Sequence, residues 1–179
     1  MEQAKTYLLL QRAVEKELNF CRLVNQSLSA PLIQRFFAVV SRLGDGVFWY
    51  CLIAFLPLYF GKQAIGISIL MIAVGVANLV IYKSLKKLTC RQRPCTTSDE
   101  IIPGARLLDH YSFPSGHTLH AVAFTIITVS FFPALGWLLI PFASLVAMSR
   151  VILGLHYPTD VVAGALIGML SASIGLSLI

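Results

Sequence analysis

The strongest constraint on this chain is a pair of long, predominantly apolar runs, Ala64 to Tyr82 and Pro158 to Ile179. Each is long enough to cross the roughly 30 Å hydrocarbon layer of a bilayer as a helix. Two further runs, Ser115 to Phe132 and Ala134 to Leu153, are separated only by the Phe132-Pro133-Ala134 break. Gly46 to Phe60 is the shortest candidate and needs extra turns or a thinned bilayer to span. Composition points the same way. Of 179 residues, 57% are hydrophobic and 12% charged, with a mean hydropathy of +0.78, whereas soluble domains carry about a quarter charged residues. The expected fold class is all-α, one polytopic membrane helix bundle of about five transmembrane helices. Met1 to Phe20 mixes acids and bases without a sustained apolar core, so no cleavable signal is expected and the first span itself directs insertion.

Ahead of the spans, Tyr7, Leu10, Val14, Leu18 and Cys21 recur at helical spacing against Arg12, Glu15, Lys16 and Glu17. That pattern predicts an amphipathic helix over Tyr7 to Val24, lying at the interface. Ser29-Ala30-Pro31 breaks it, and a second short helix is expected over Leu32 to Leu43, with Phe36, Phe37, Val39 and Val40 on its apolar side. Gly44-Asp45-Gly46 then turns the chain, with Asp45 placed to cap the first span. The expected division is residues 1–45 as N-terminal interfacial helices and 46–179 as a membrane-embedded catalytic unit.

The formal net charge of +6 could suggest a nucleic-acid partner, but no Arg-rich or Lys-rich tract with interleaved aromatics occurs. The bilayer and its anionic lipids are the expected partner, nucleic acid is not, and oligomeric state is left open. Cys21, Cys51, Cys90 and Cys95 lack metal-ligand spacing, so no metal or other cofactor is expected. Cys90 and Cys95 either bridge in an oxidising compartment or, the favoured reading, are small packed thiols. Asn78 inside the second span reads as interhelical glue, and Pro141 as a bend in the fourth.

Three polar clusters interrupt this apolar background. Lys83 to Pro94 closes the second span with Lys86 and Arg93 among its cations; alone, it could be an ordinary positive flank of a membrane helix. Pro114-Ser115-Gly116-His117 opens the third span, and Pro, a hydroxyl and Gly at a helix start make an anion seat from unpaired N–H groups. His120, one turn deeper, reads as packed or supporting. Ser149 to Asp160 joins the last two spans and holds Arg150, His156 and Asp160. Ionisable groups at such a position are costly and mark a functional site. If the segment after Pro158 is helical, Asp160 lies one turn beyond His156 and can hold its Nδ1–H, which leaves Nε2 as nucleophile or base.

Five spans place all three clusters on one membrane face. Cations, a helix N-terminus and two histidines around one point suit a phosphate oxyanion. Lys86, Arg93 and Arg150 neutralise it, and the Ser115 hydroxyl adds a donor. One histidine then attacks phosphorus while the other protonates the departing oxygen. The polar loop Cys95 to Phe113 is expected to shape the mouth of the site, with Arg106 as a second headgroup contact.

Lys86-x6-Arg93-Pro94, Pro114-Ser115-Gly116-His117 and Ser149-Arg150-x5-His156-x3-Asp160 resemble, in order and spacing, the three signatures of the type 2 phosphatidic acid phosphatase (PAP2) superfamily. The resemblance is strong from Lys86 to Asp160 and weaker upstream, through Glu17 to Trp49. It implies His156 as the nucleophile that forms a phosphohistidine, Asp160 as its orienting partner, and His117 as acid on the leaving group and later base on water. It implies that Lys86, Arg93, Ser115, Gly116 and Arg150 hold the phosphoryl oxygens, without a metal. Many family members have six spans, so an interfacial N-terminal helix stands here in place of the first. The expected substrate is a lipid phosphate: phosphatidylglycerophosphate, phosphatidate, undecaprenyl diphosphate or a lipid A phosphate. A lipid phosphotransferase and a non-enzymatic phospholipid binder are the alternatives; a vanadium haloperoxidase, typically soluble, fits five apolar spans poorly. The expected location is the inner (plasma) membrane of a bacterium. The positive-inside rule puts the active face in the cytoplasm, whereas bacterial relatives often act on the outer side.

Overall fold

A computed structural model describes the backbone of residues 2–107 and 109–179, with side chains from residue 11 onward, Leu108 excepted. Tyr7 and Leu10 of the expected amphipathic stripe therefore lie outside the described side chains. Eight helices carry the described chain: α1 (Glu2–Asn25), α2 (Pro31–Arg42), α3 (Phe48–Phe60), α4 (Ile65–Thr89), the single turn α5 (Pro94–Thr97), α6 (Gly116–Phe131), α7 (Gly136–Ile152) and α8 (Pro158–Leu176). No strand occurs among the described residues.

Four helical stretches are long and apolar enough to cross a membrane: Pro31–Phe60, Lys62–Thr97, Pro133–Ile152 and Pro158–Leu176. The shorter apolar α6, 16 residues, stands among them. The chain is a multi-pass integral membrane protein built as an all-helical bundle. The first span is longer than its apolar run suggests, because α2 continues into α3 through a π-type turn, Leu43–Val47, instead of ending before it. Gly46 absorbs the kink with φ at 123°, a conformation open to glycine. The helix through Pro141 is uninterrupted.

Each start and stop has a local cause. Pro occupies the first turn of α2 and α8, where its missing N–H costs nothing. Ser115 caps α6 by accepting the Thr118 N–H. Asp160 accepts the Tyr157 N–H at 2.8 Å and so closes the first turn of α8. Cys90, left-handed at φ 48°, stops α4.

The apolar centre is Trp49, Leu56, Met71, Ile127, Leu139 and Val146, contributed by α3, α4, α6 and α7. Behind it, α6 and α8 meet backbone to backbone. A methyl group at Gly164 would stand 2.5 Å from the Ser115 carbonyl oxygen, and one at Gly168 2.5 Å from that of Leu119. Small residues allow this approach where lipid offers no hydrophobic drive to association. The Ser115 N–H donates to the Asp160 carbonyl at 3.0 Å, so the starts of α6 and α8 are locked in register. Asn78, expected to hydrogen-bond between helices, is wholly buried yet neither of its amide atoms has a partner among the described residues.

Candidate active site

The start of α3, α4 from Met71 onward, the start of α6, the end of α7 and the loop ahead of α8 surround one cavity of about 650 Å³. At its polar end lie Lys86, Arg93, Asp109, His117, Arg150 and His156; Gly116 also lines it. The wall then turns apolar along Tyr50, Ile53, Met71, Ile72, Val76 and Leu79 of α3 and α4. Charged groups thus meet the mouth of a slot between two membrane helices.

The three clusters that the sequence separates are brought together. Arg93 Nη1 lies 3.3 Å from His156 Nε2 and donates to the Leu155 carbonyl at 2.6 Å. Burial holds the His156 imidazole well below its usual pKa, and the charges of Arg150, Arg93 and Lys86 push it the same way, so the ring is neutral at physiological pH. Asp160 Oδ2 is 3.6 Å from His156 Nδ1, which is too long for a hydrogen bond, and Nδ1 has no other partner among the described residues. Arg150 donates to the Ser41 hydroxyl, while its Nε has no partner among the described residues. The Ser115 hydroxyl is wholly buried against Thr118 Oγ1 at 2.9 Å and does not line the cavity.

Several participants escape a reading by spacing. Asp109, in the loop between α5 and α6, receives Lys86 Nζ at 2.9 Å and Arg93 Nη2 at 2.5 Å. Burial alone would raise its carboxyl, but the two cations and their hydrogen bonds hold it below the usual carboxylate range. Asp45 does not cap α3; no side-chain cap bond forms there, and the chain kinks through non-helical dihedrals at Asp45 and Gly46. Its carboxylate faces His117 instead, Oδ1 to Nε2 at 3.3 Å.

Arg91 is the largest omission. It donates to Asp160 Oδ1 at 2.7 Å, to Thr159 Oγ1 at 2.8 Å and to Glu17 Oε2 at 2.7 Å, and its guanidinium stacks 4.0 Å above the Tyr157 ring. Glu17 also accepts the Thr159 N–H at 2.9 Å, which fastens α1 to the start of α8. Asn25 donates to the carbonyls of Ile102 and Ile152 and accepts the Ile102 N–H, tying the mouth loop to the end of α7. In the sequence Glu17 stands on the polar side of an amphipathic helix, a pattern that gives no sign of these contacts.

His120 packs as expected, its ring nitrogens 2.9 Å from the Gly116 carbonyl and 3.2 Å from that of Gly75. Arg106 is exposed and does not line the cavity. Cys90 and Cys95 are free thiols. Among the described residues, no group of three or more His, Cys, Asp or Glu is disposed to hold a metal ion.

Known proteins are similar to this chain. An undecaprenyl-diphosphatase of Sulfolobus acidocaldarius is 32% identical over 130 residues, which are 72% of this chain and 62% of that protein. The chain spans about half the length, 54% and 49%, of two curated relatives from Bacillus species. The crystal structure of a transmembrane PAP2 type phosphatidylglycerolphosphate phosphatase from Bacillus subtilis superposes with a TM-score of 0.74 at 25% identity, over 93% of this chain and 86% of the other. For Aquifex aeolicus LpxE the TM-score is 0.76 at 28% identity, over 89% and 94%. The PAP2 superfamily model matches residues 64–179, the stretch in which all three polar clusters converge on the cavity, and the chain belongs to that superfamily.

Proposed function

We propose that this protein is a membrane lipid phosphatase that hydrolyses a phosphomonoester or diphosphate of a lipid through a phosphohistidine. The observation that carries the reading is the cavity itself. It joins two histidines and three cations at one end to an apolar slot between α3 and α4 at the other. A soluble phosphate needs no such slot, and a mere headgroup binder needs no pair of histidines.

In this reading the lipid enters sideways from the bilayer, its chain lies along the slot, and its phosphate meets Arg150, Arg93, Lys86 and the N-terminus of α6 at Gly116, with Ser115 shaping that terminus. His156 Nε2 attacks phosphorus. The bond to the leaving oxygen breaks with its electron pair, and His117 supplies the proton. Water then attacks the phosphohistidine, His117 takes its proton, the P–N bond breaks, and inorganic phosphate and free His156 result. Asp160, itself gripped by Arg91, sits beside the imidazole edge that becomes positive as the P–N bond forms. The neutral state of the buried His156 ring suits a nucleophile, which requires a free lone pair.

Charge stabilisation is assigned to guanidinium, ammonium and backbone N–H groups, so turnover should survive chelation. Phosphatidylglycerophosphate, phosphatidate, undecaprenyl diphosphate and lipid A phosphate are the substrates to compare, and the inner membrane of a bacterium is the assigned location. The deciding experiment is phosphate release by the detergent-purified protein on those four lipids with EDTA present. Release is expected from at least one of them and none from His156→Ala. Release retained by that variant would overturn the nucleophile assignment.

A further inference from the structure

The cations lining the cavity are not equivalent. Lys86 and Arg93 share the carboxylate of Asp109. Among the described residues, neither Arg150 nor Lys83, which also line the cavity, has a carboxylate within ion-pair distance. The two uncompensated cations lie at different depths. Arg150 stands with His156 at the polar end. Lys83 precedes Lys86 by three residues on α4, one turn and about 4.5 Å nearer the bilayer centre, because α4 climbs toward the active face. Below Lys83 the same wall continues as Leu79 and Val76, without another charge.

Descending from His156, then, the wall presents a first cation level, a second one turn lower, and then hydrocarbon. A lipid monophosphate fills only the first level. A lipid diphosphate fills both: its terminal phosphate stands at Arg150 and His156, its proximal phosphate meets Lys83, and its chain continues along Leu79 and Val76. From this we infer that Lys83 is a subsite for the proximal phosphate, and that the preferred substrate is a lipid diphosphate. The inference rests on the phosphatase reading above.

The chemistry gives the subsite a second task. When His156 Nε2 bonds to the terminal phosphorus, the phosphoanhydride P–O bond breaks and its electron pair stays on an oxygen of the proximal phosphate. His117 protonates that oxygen as the bond breaks, and the lipid monophosphate departs with its remaining negative charge beside the Lys83 ammonium. Water completes the cycle by releasing inorganic phosphate from the histidine.

The test compares kcat/KM for farnesyl diphosphate and farnesyl monophosphate in detergent, for wild type, Lys83→Gln, Lys83→Arg and Lys87→Ala. Lys87 is exposed on the same helix but does not line the cavity. Wild type should favour the diphosphate. In Lys83→Gln that preference should fall about tenfold, the scale of one charge-assisted hydrogen bond. Lys83→Arg should restore most of it, and Lys87→Ala should keep the wild-type ratio. An unchanged ratio in Lys83→Gln overturns the subsite, as does an equal shift in Lys87→Ala, which would show only a general field effect. Release from the monophosphate by wild type with no preference for the diphosphate overturns the subsite while leaving the phosphatase reading intact. No release from farnesyl diphosphate, with release from phosphatidate, overturns the diphosphate preference; no release from either farnesyl compound or from any of the four lipids above overturns the phosphatase reading, and the subsite with it.

Discussion

At the scale of single residues the site depends on which groups stay neutral and which stay paired. His156 is surrounded by three cations and removed from water, so protonating it is unfavourable in the folded protein. A nucleophile is lost only as pH falls through its folded-state pKa, and here that value lies well below the ordinary histidine value near 6.5. The acid limb of the kcat/KM profile should therefore lie below the usual histidine range. A limb at an unshifted histidine pKa would show that His156 is not the group that titrates. Arg91 belongs to no expected phosphate contact, yet it supplies the charged partner of a carboxylate with no solvent exposure. Arg91→Ala leaves Asp160 buried without a charged partner, and breaking such a pair from one side costs about 3 kcal/mol. A clear fall in melting temperature in detergent, together with loss of turnover, is the expected result. Arg91→Lys should recover only part of both, since one ammonium cannot reach Asp160, Thr159 and Glu17 as the guanidinium fork does.

Among the elements, the pairing of α6 with α8 carries the most strain-sensitive geometry. His117 stands at the start of one and Asp160 at the start of the other, and the Ser115 N–H to Asp160 carbonyl bond joins them. Two glycines set the separation of these helices. Gly168→Val would force side-chain atoms into the Leu119 backbone, and overpacking of this kind costs about 1–3 kcal/mol. Lower thermal stability is expected, with a larger loss of turnover, because the starts of both helices move apart. Gly168→Ala should fall between. The kink at Gly46 has a comparable role, since it places Asp45 opposite His117 and lets α3 line the cavity. Asn25 of α1 holds the loop that carries Asp109, so a helix read from its pattern as a membrane-surface seat also anchors a loop of the site.

For the whole molecule the decisive feature is that the polar cluster opens onto a slot between α3 and α4 rather than onto a closed core. Ile72 lines this slot and is also exposed on the outer surface. Ile72→Trp should raise KM for long-chain lipid phosphates several-fold while sparing a short-chain, water-soluble ester. Equal effects on both would mean that the chain does not lie there. The apolar runs, the motif spacings and the turn residues Pro158 and Ser115 were legible in the sequence, since helix length, helix periodicity and capping are local properties of the chain. They sufficed for an all-helical membrane bundle and for clusters gathered on one face. The same locality hid the rest. The Arg91 to Glu17 pair spans 74 positions, Arg150 reaches Ser41 across 109, and Asp109 sits in a loop without periodicity. Whether Asp45 caps a helix or meets a histidine depends on how one turn is wound and which helix it faces. The sequence by itself determined which residue types are available at the membrane face and which segments cross the bilayer. Only the tertiary structure decided which charges are paired and which are not, because ion pairing follows distance and burial, and packing alone sets both.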